Sequence, residues 1–298
     1  MGKIAVVMTC HNRKDKTVDC INHLLEAAKK CINKTGIDLF LTDDGSTDGT
    51  SGAVRNIFPD ANIVKGDGSL YWAGGMRKAW QKAAKYNYDG YLLLNDDTKI
   101  YKNCLEELIY THTYCNKKFQ RGGVYVGSTQ DPTTGKFTYG GHRIENMFWF
   151  SYSPIVPDGK CIKRCEMGNA NIMLISSDAF LALGFFHDTY IHSKADFDYT
   201  LRALKKSIPV LVCANYCGIC ERDHTTQKPL YMLSYHERLN RVFSPLGYEY
   251  HAYMHFMKQF FPLRVPFVWV SIWTQVYLPF FGKGIQLIRK KFLKNYNL

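Results

Sequence analysis

The sequence lacks several features that would assign its class at once. Ten cysteines in 298 residues are too sparse for a disulfide scaffold. Most lie where a small buried hydrophobe fits; only Cys161-x3-Cys165 and Cys217-x2-Cys220, with Cys213 nearby, leave a structural zinc site open. No signal-peptide layout precedes the apolar run that begins at Ile4, which predicts a cytosolic chain. Charged residues make up only 21% and hydrophobic ones 46%, which excludes a disordered chain. Acids are scarce relative to bases, and the formal net charge of +12 points to anionic partners such as phosphates or an acidic membrane face. The bases, however, are scattered except for a cluster at the end of the chain. A nucleic-acid-binding protein would instead show a basic stripe with interleaved aromatics.

What is present is organised around Tyr91-Leu92-Leu93-Leu94-Asn95-Asp96-Asp97-Thr98. Four apolar residues running into two acids describe a strand buried on both faces, with carboxylates at its C-terminal edge. In open α/β sheets that edge is where ligands bind. Adjacent carboxylates repel unless a cation holds them, and a hard divalent ion is the usual one. An acidic turn is the plain alternative.

Earlier in the chain, Ile4–Met8 reads as a first strand ending in the polar loop Thr9-Cys10-His11-Asn12-Arg13. Val18, Ile21, Leu24, Leu25, Ala28 and Ile32 recur at helical spacing, with Gly36 as the stop. Leu39-Phe40-Leu41 is a second strand running into Thr42-Asp43-Asp44-Gly45-Ser46, followed by a short helix over 51–58 and a strand over 62–65. The glycine-rich stretch from Gly66 to Arg77 then opens a helix. Its glycines let backbone approach a ligand, and the helix start offers amides to phosphate. This alternation implies a parallel sheet with every polar loop at one edge.

Farther on, helix is expected over 102–115, strands over 123–128 and 171–176, and a helix to Leu183 capped by Ser177. Residues 129–165 read as irregular and suited to lining a cleft. Asp196 to Lys206 forms a helix with acids in its first turn and bases in its last. A strand over 208–213 and the polar loop Glu221–Thr225 follow. The alternation stops near Gln227. A helix is expected over 230–242, and Phe260–Phe281 is apolar and aromatic, with no charge from Val265 on. Its length is borderline for a membrane span, and its prolines and polar residues favour a segment lying in the interface. Lys283, Arg289, Lys290, Lys291 and Lys294 suit anionic lipid. A buried helical hairpin is the alternative.

Taken in order, Thr-Cys-His-Asn-Arg, Thr-Asp-Asp-Gly-Ser-Thr-Asp-Gly-Thr, Gly-Asp-Gly…Ala-Gly-Gly, Asn-Asp-Asp-Thr and Asp-Phe-Asp-Tyr-Thr-Leu-Arg resemble the inverting family 2 glycosyltransferases. The likeness is strongest to their bacterial rhamnosyl- and galactofuranosyltransferase branch, and it spans roughly residues 3–226. It implies a GT-A glycosyltransferase domain over 1–226: Rossmann-like α/β, with a mainly parallel central sheet flanked by helices. A helical, membrane-contacting region follows over 227–298.

The resemblance also assigns roles. Thr9, Asn12 and Asp43 or Asp44 hold the base and ribose. Gly66, Gly68, Trp72, Gly74 and Arg77 line the nucleotide pocket together with Asp96. Asp97 binds Mn²⁺ or Mg²⁺, with His224 as a further ligand. Asp196 is the general base, with Asp198 as the fallback; relatives usually have Glu-Asp where this chain has Ala195-Asp196. The implied partners are a UDP- or dTDP-sugar, a lipid-linked glycan acceptor and the inner face of a bacterial plasma membrane, with no nucleic acid; a homodimer is compatible. A sugar nucleotidyltransferase has a related sheet, but its first loop is rich in glycine, and Thr9–Arg13 has none.

Overall fold

A computed structural model describes residues 1–31, 35–222, 228–279 and 281. The elements run β1 (Lys3–Cys10), α1 (Lys14–Lys30), β2 (Gly36–Asp43), α2 (Thr50–Ile57), β3 (Asn62–Lys65), α3 (Tyr71–Ala83), β4 (Gly90–Leu94), β5 (Lys99–Ile100), α4 (Cys104–Phe119) and β6 (Val124–Gln130). They continue with β7 (Gly141–Asn146), β8 (Ser151–Pro154), β9 (Lys163–Arg164), β10 (Met167–Gly168), β11 (Ile172–Ser176), α5 (Ser177–Leu183), α6 (Ala195–Lys205), β12 (Val210–Ile219), α7 (Tyr235–Phe243), α8 (Tyr250–Phe260) and α9 (Val265–Tyr277). Short 3₁₀ turns occupy Leu230–Met232 and Pro262–Arg264.

The main sheet has the order β3-β2-β1-β4-β11-β6-β12-β5, with β9 also paired to β12. β1, β2, β3 and β4 are parallel, as the βα alternation requires. β11 runs against both β4 and β6, so one strand of the central series is reversed. β10 pairs with β7 in a small second sheet that continues to β8. The stretch 129–165, expected to be irregular, therefore contains strands. The first helix ends at Lys30, and Gly36 begins β2 rather than stopping that helix. Ser176, not Ser177, caps α5, its hydroxyl accepting from the Ala179 amide.

All five β4 residues are buried, which explains its unbroken apolar run. On one side, Trp80 of α3 packs against the rings of Tyr91, Phe180, Phe185, Phe186 and Tyr199, joining α3, α5 and α6 to the sheet. On the other, α1 and α4 bury Ile21, Leu24, Leu105 and Leu108.

The chain divides into two compact units. The first holds 1–143, 154–191 and 195–222; the second holds 144–153, 192–194 and 223–298. Within the second, Arg238 of α7 is buried and donates to the Val276 and Leu233 carbonyls at 2.8 and 2.5 Å, and Phe150 packs on Phe261. No helix among the described residues is long and apolar enough to cross a membrane.

Candidate active site

The strand order turns around between β1 and β4: β2 and β3 extend to one side of β1, and β4 lies on the other. The crevice outside the carboxyl ends of such a pair is the usual ligand site of open α/β sheets. The polar runs after β1, β2 and β4 all open there.

Arg13 crosses the crevice. Arg13, just after β1, donates from one guanidinium nitrogen to Asp96 at 3.1 Å and from the other to Asp97 at 2.8 Å. The cation that reconciles the two acids in this structure is thus a side chain of the protein itself. Asp96 is nearly fully buried and also accepts from Thr17 at 3.4 Å. Burial pushes its carboxyl up to about 7; Arg13 opposes that rise and Asp97 adds to it. Asp97 is more open, and its second oxygen lies 3.7 Å from the Cys220 thiol. Burial raises that thiol to about 12, so it stays protonated and neutral.

The acids after β2 serve their own loops. Asp43 accepts from the Ser46 amide at 2.9 Å and from the Ser51 hydroxyl. Burial acts to raise its carboxyl, but these hydrogen bonds outweigh it and hold the pKa below the usual range. Asp44 accepts from the amides of Gly68, Leu70 and Tyr71 at 2.9, 3.0 and 3.1 Å, which folds the glycine-rich stretch over it. Gly66 and Gly68 are required by this wrap. A Cβ on Gly66 would run into the Asp44 side chain, and Gly68 sits at φ +91°. Asn12, itself left-handed at φ 50°, accepts from the Thr47 amide at 2.8 Å and ties the loops after β1 and β2 together. Thr9 is buried and donates to the Thr42 carbonyl at 3.3 Å.

Three of the amides expected to be free for phosphate at the start of α3 are already bonded. Tyr71 donates to Asp44, and Ala73 and Gly74 donate to the Ile191 carbonyl at 2.9 and 3.2 Å. Arg77 is likewise committed. It pairs with Asp188 at 3.0 Å and donates to the His187 and Tyr190 carbonyls, anchoring the 187–191 loop. Trp72 reaches across and donates to the Asn95 side chain at 2.7 Å.

The two acids of α6 have separate environments. Asp198 is fully buried, paired with Arg202 at 2.7 Å and accepting from the Tyr190 hydroxyl at 3.1 Å. Arg202 also donates to the Leu183 and Phe185 carbonyls, so this pair ties α6 to the end of α5. Asp196 is half-buried at the first turn, accepting from Asn169 at 3.3 Å and from the Phe197 amide at 2.8 Å. Asn169 begins a link to the acidic pair. Two residues on, Asn171 accepts from the Asn95 amide at 3.1 Å and approaches Cys220 at 3.7 Å. Arg13, Asn169 and Asn171 went unread in the sequence. Arg13 had a signal, a lone cation in a strand-end loop; the asparagines had none.

His224 lies outside the described residues. Among those described, no three His, Cys, Asp or Glu side chains gather for a metal, and the cysteines read as a zinc alternative form no such group. Asp96 and Asp97 still fit a hard cation, because Mg²⁺ or Mn²⁺ commonly takes one or two carboxylates and completes its shell with water and substrate phosphate.

The family model described as Glycosyl transferase family 2 matches residues 5–159, just over half of the chain. No curated protein matches it.

Proposed function

The chain belongs to glycosyl transferase family 2 and is a glycosyltransferase, and from that premise we infer that it moves a sugar, rhamnose or galactofuranose, from a UDP- or dTDP-sugar to a lipid-linked surface glycan. It would do so with inversion and at the cytoplasmic face of the membrane. The observation that carries this reading is the convergence of Arg13, Asp96 and Asp97 across the β1/β4 crevice.

Asp97 and Asp96 would hold a divalent ion, and His224 would join them. Bound there, the ion would neutralise charge on the departing nucleoside diphosphate. Thr9, Asn12, Asp43 and Asp44 would form the base and ribose end, and the wrapped loop bearing Gly66, Gly68, Trp72, Gly74 and Arg77 its wall. A carboxylate offers about four acceptor positions; Asp44 uses three, which leaves one for a ring N–H of uracil or thymine.

Asp196 would accept the proton of the acceptor hydroxyl as its oxygen bonds to the anomeric carbon and the carbon–oxygen bond to the diphosphate breaks. Asn169 supports this role by fixing one carboxylate oxygen, while Asp198 is fully engaged with Arg202 and Tyr190. The test is a screen of UDP- and dTDP-sugars for nucleotide release in Mn²⁺ or Mg²⁺. One donor should turn over with wild type and on the order of a hundredfold more slowly with Asp196→Asn; an Asp196→Asn variant with full turnover would remove the base from Asp196.

A further inference from the structure

Within the second unit, α9 is apolar on more than the side it buries. Val268, Ile272 and Val276 face inward. Phe267, Val270 and Tyr277 of α9, with Leu263 of the 3₁₀ turn before it, form another stripe at helical spacing, and it is bare: Leu263 is 75% exposed and Phe267 62%. A helix that is apolar all round is ordinarily buried in protein or in contact with lipid.

The turn between β7 and β8 adds to this stripe. Met147, Phe148 and Trp149 at its tip are exposed, Trp149 at 67%. Phe148 packs edge-on against Phe267 with centroids 6.1 Å apart, and Arg264 donates to the Trp149 carbonyl. The tip is therefore held beside the stripe, and the bare side chains of both join. Their chemistry, with Trp, Tyr and Phe beside aliphatic residues, is that of side chains enriched at membrane–water interfaces.

Charge selects the occupant. From Tyr250 to Leu298 the chain carries seven Lys or Arg and no Asp or Glu. Two copies of such a region repel, whereas a layer of anionic headgroups attracts it. We propose that the Met147–Trp149 tip and the bare stripe of α9 form one docking surface for an anionic bilayer, with the aromatic tip entering the headgroup layer. The proposal rests on the membrane-face part of the function given above, and its test involves no sugar transfer, so the two can fail separately.

The full chain is sedimented with vesicles of phosphatidylcholine alone and of phosphatidylcholine with phosphatidylglycerol. Binding is expected to the second kind, weakened by high salt because the basic residues are screened. The double variant Phe148→Ser/Trp149→Ser should bind on the order of tenfold more weakly or worse, the scale of losing buried aromatic area. Val270→Glu, at an exposed position that leaves the core intact, should weaken binding too, which guards against a double variant that misfolds. Failure to sediment with either vesicle, or binding unchanged in both variants, would overturn the proposal. So would light scattering that finds a wild-type dimer made monomeric by Val270→Glu, which would give the patch to a second copy.

Discussion

Arg13 shows why an acidic pair and its cation must be read together. The Asn95-Asp96-Asp97 run announces a need for positive charge, but the partner in this structure comes from 83 residues earlier in the chain, a separation no local pattern encodes. Arg13→Gln should destabilise the metal-free protein by about 1–2 kcal/mol; the value for a fully buried pair would be larger, but the guanidinium is 39% exposed. Mn²⁺ should then raise the melting temperature more in that variant than in wild type, since the ion no longer competes with a resident cation; equal shifts would separate Arg13 from the ion site. Asp97→Ala should weaken nucleoside-diphosphate affinity in Mn²⁺ by tenfold or more and abolish transfer, and titration calorimetry with and without the ion checks it. The α6 acids were legible in part. Helical spacing separates Asp196 from Asp198 and puts Asp198 nearer the core face, and Asp198 is buried and paired with Arg202. Asp198→Asn should therefore cost about 2–3 kcal/mol of stability, because it leaves the part-buried Arg202 guanidinium without its counter-charge. Asp196→Asn should melt normally and lose on the order of a hundredfold in turnover. The reverse pattern in melting and turnover would exchange the two roles.

Among the elements, the βα alternation was legible because buried parallel strands read as unbroken apolar runs and their helices carry a 3.6 period. The reversal of β11 was not, since an apolar run such as Ile172–Ser176 has no sign of direction in it. The glycine-rich loop was legible as a close approach of backbone, but to the wrong partner: Asp44 and the Ile191 carbonyl take the amides that seemed free for phosphate. That wrap makes Gly66 a sharp test of the element. A methyl there meets the Asp44 side chain and backbone and Leu70 at once, so the loop must lift. Gly66→Ala should lower nucleotide affinity by about tenfold or more while α3 stays packed through Trp80, since overpacking costs about 1–3 kcal/mol and falls on the loop. Unchanged affinity in a binding titration would show that the wrapped loop is no part of the nucleotide wall.

Two titratable groups, the buried Asp96 and the half-buried His112, give the whole molecule opposed responses to acid. Asp96, raised to about 7 chiefly by burial, keeps its proton in the folded state over a range where the unfolded carboxyl has lost it. Its contribution is therefore full below about pH 4 and is lost as pH rises towards 7. His112 acts the other way. It lies between the Tyr125 hydroxyl and the Asn116 side chain, each at 2.9 Å, and burial lowers its pKa from 6.5. The unfolded imidazole then takes up a proton first as pH falls, so the contribution of His112 is full above about 6.5 and is lost below it. In the acid range wild type, freed of metal by EDTA, should thus change less in stability than either response alone would make it. Asp96→Asn should leave the His112 response unopposed, so stability falls on acidification below 6.5. His112→Asn should leave that of Asp96, so stability falls as pH rises from about 4 to 7. Denaturant unfolding of the three proteins at half-unit steps between pH 4.5 and 8 separates these slopes, and parallel profiles for all three would mean that neither group is buried in the protonation state assigned to it.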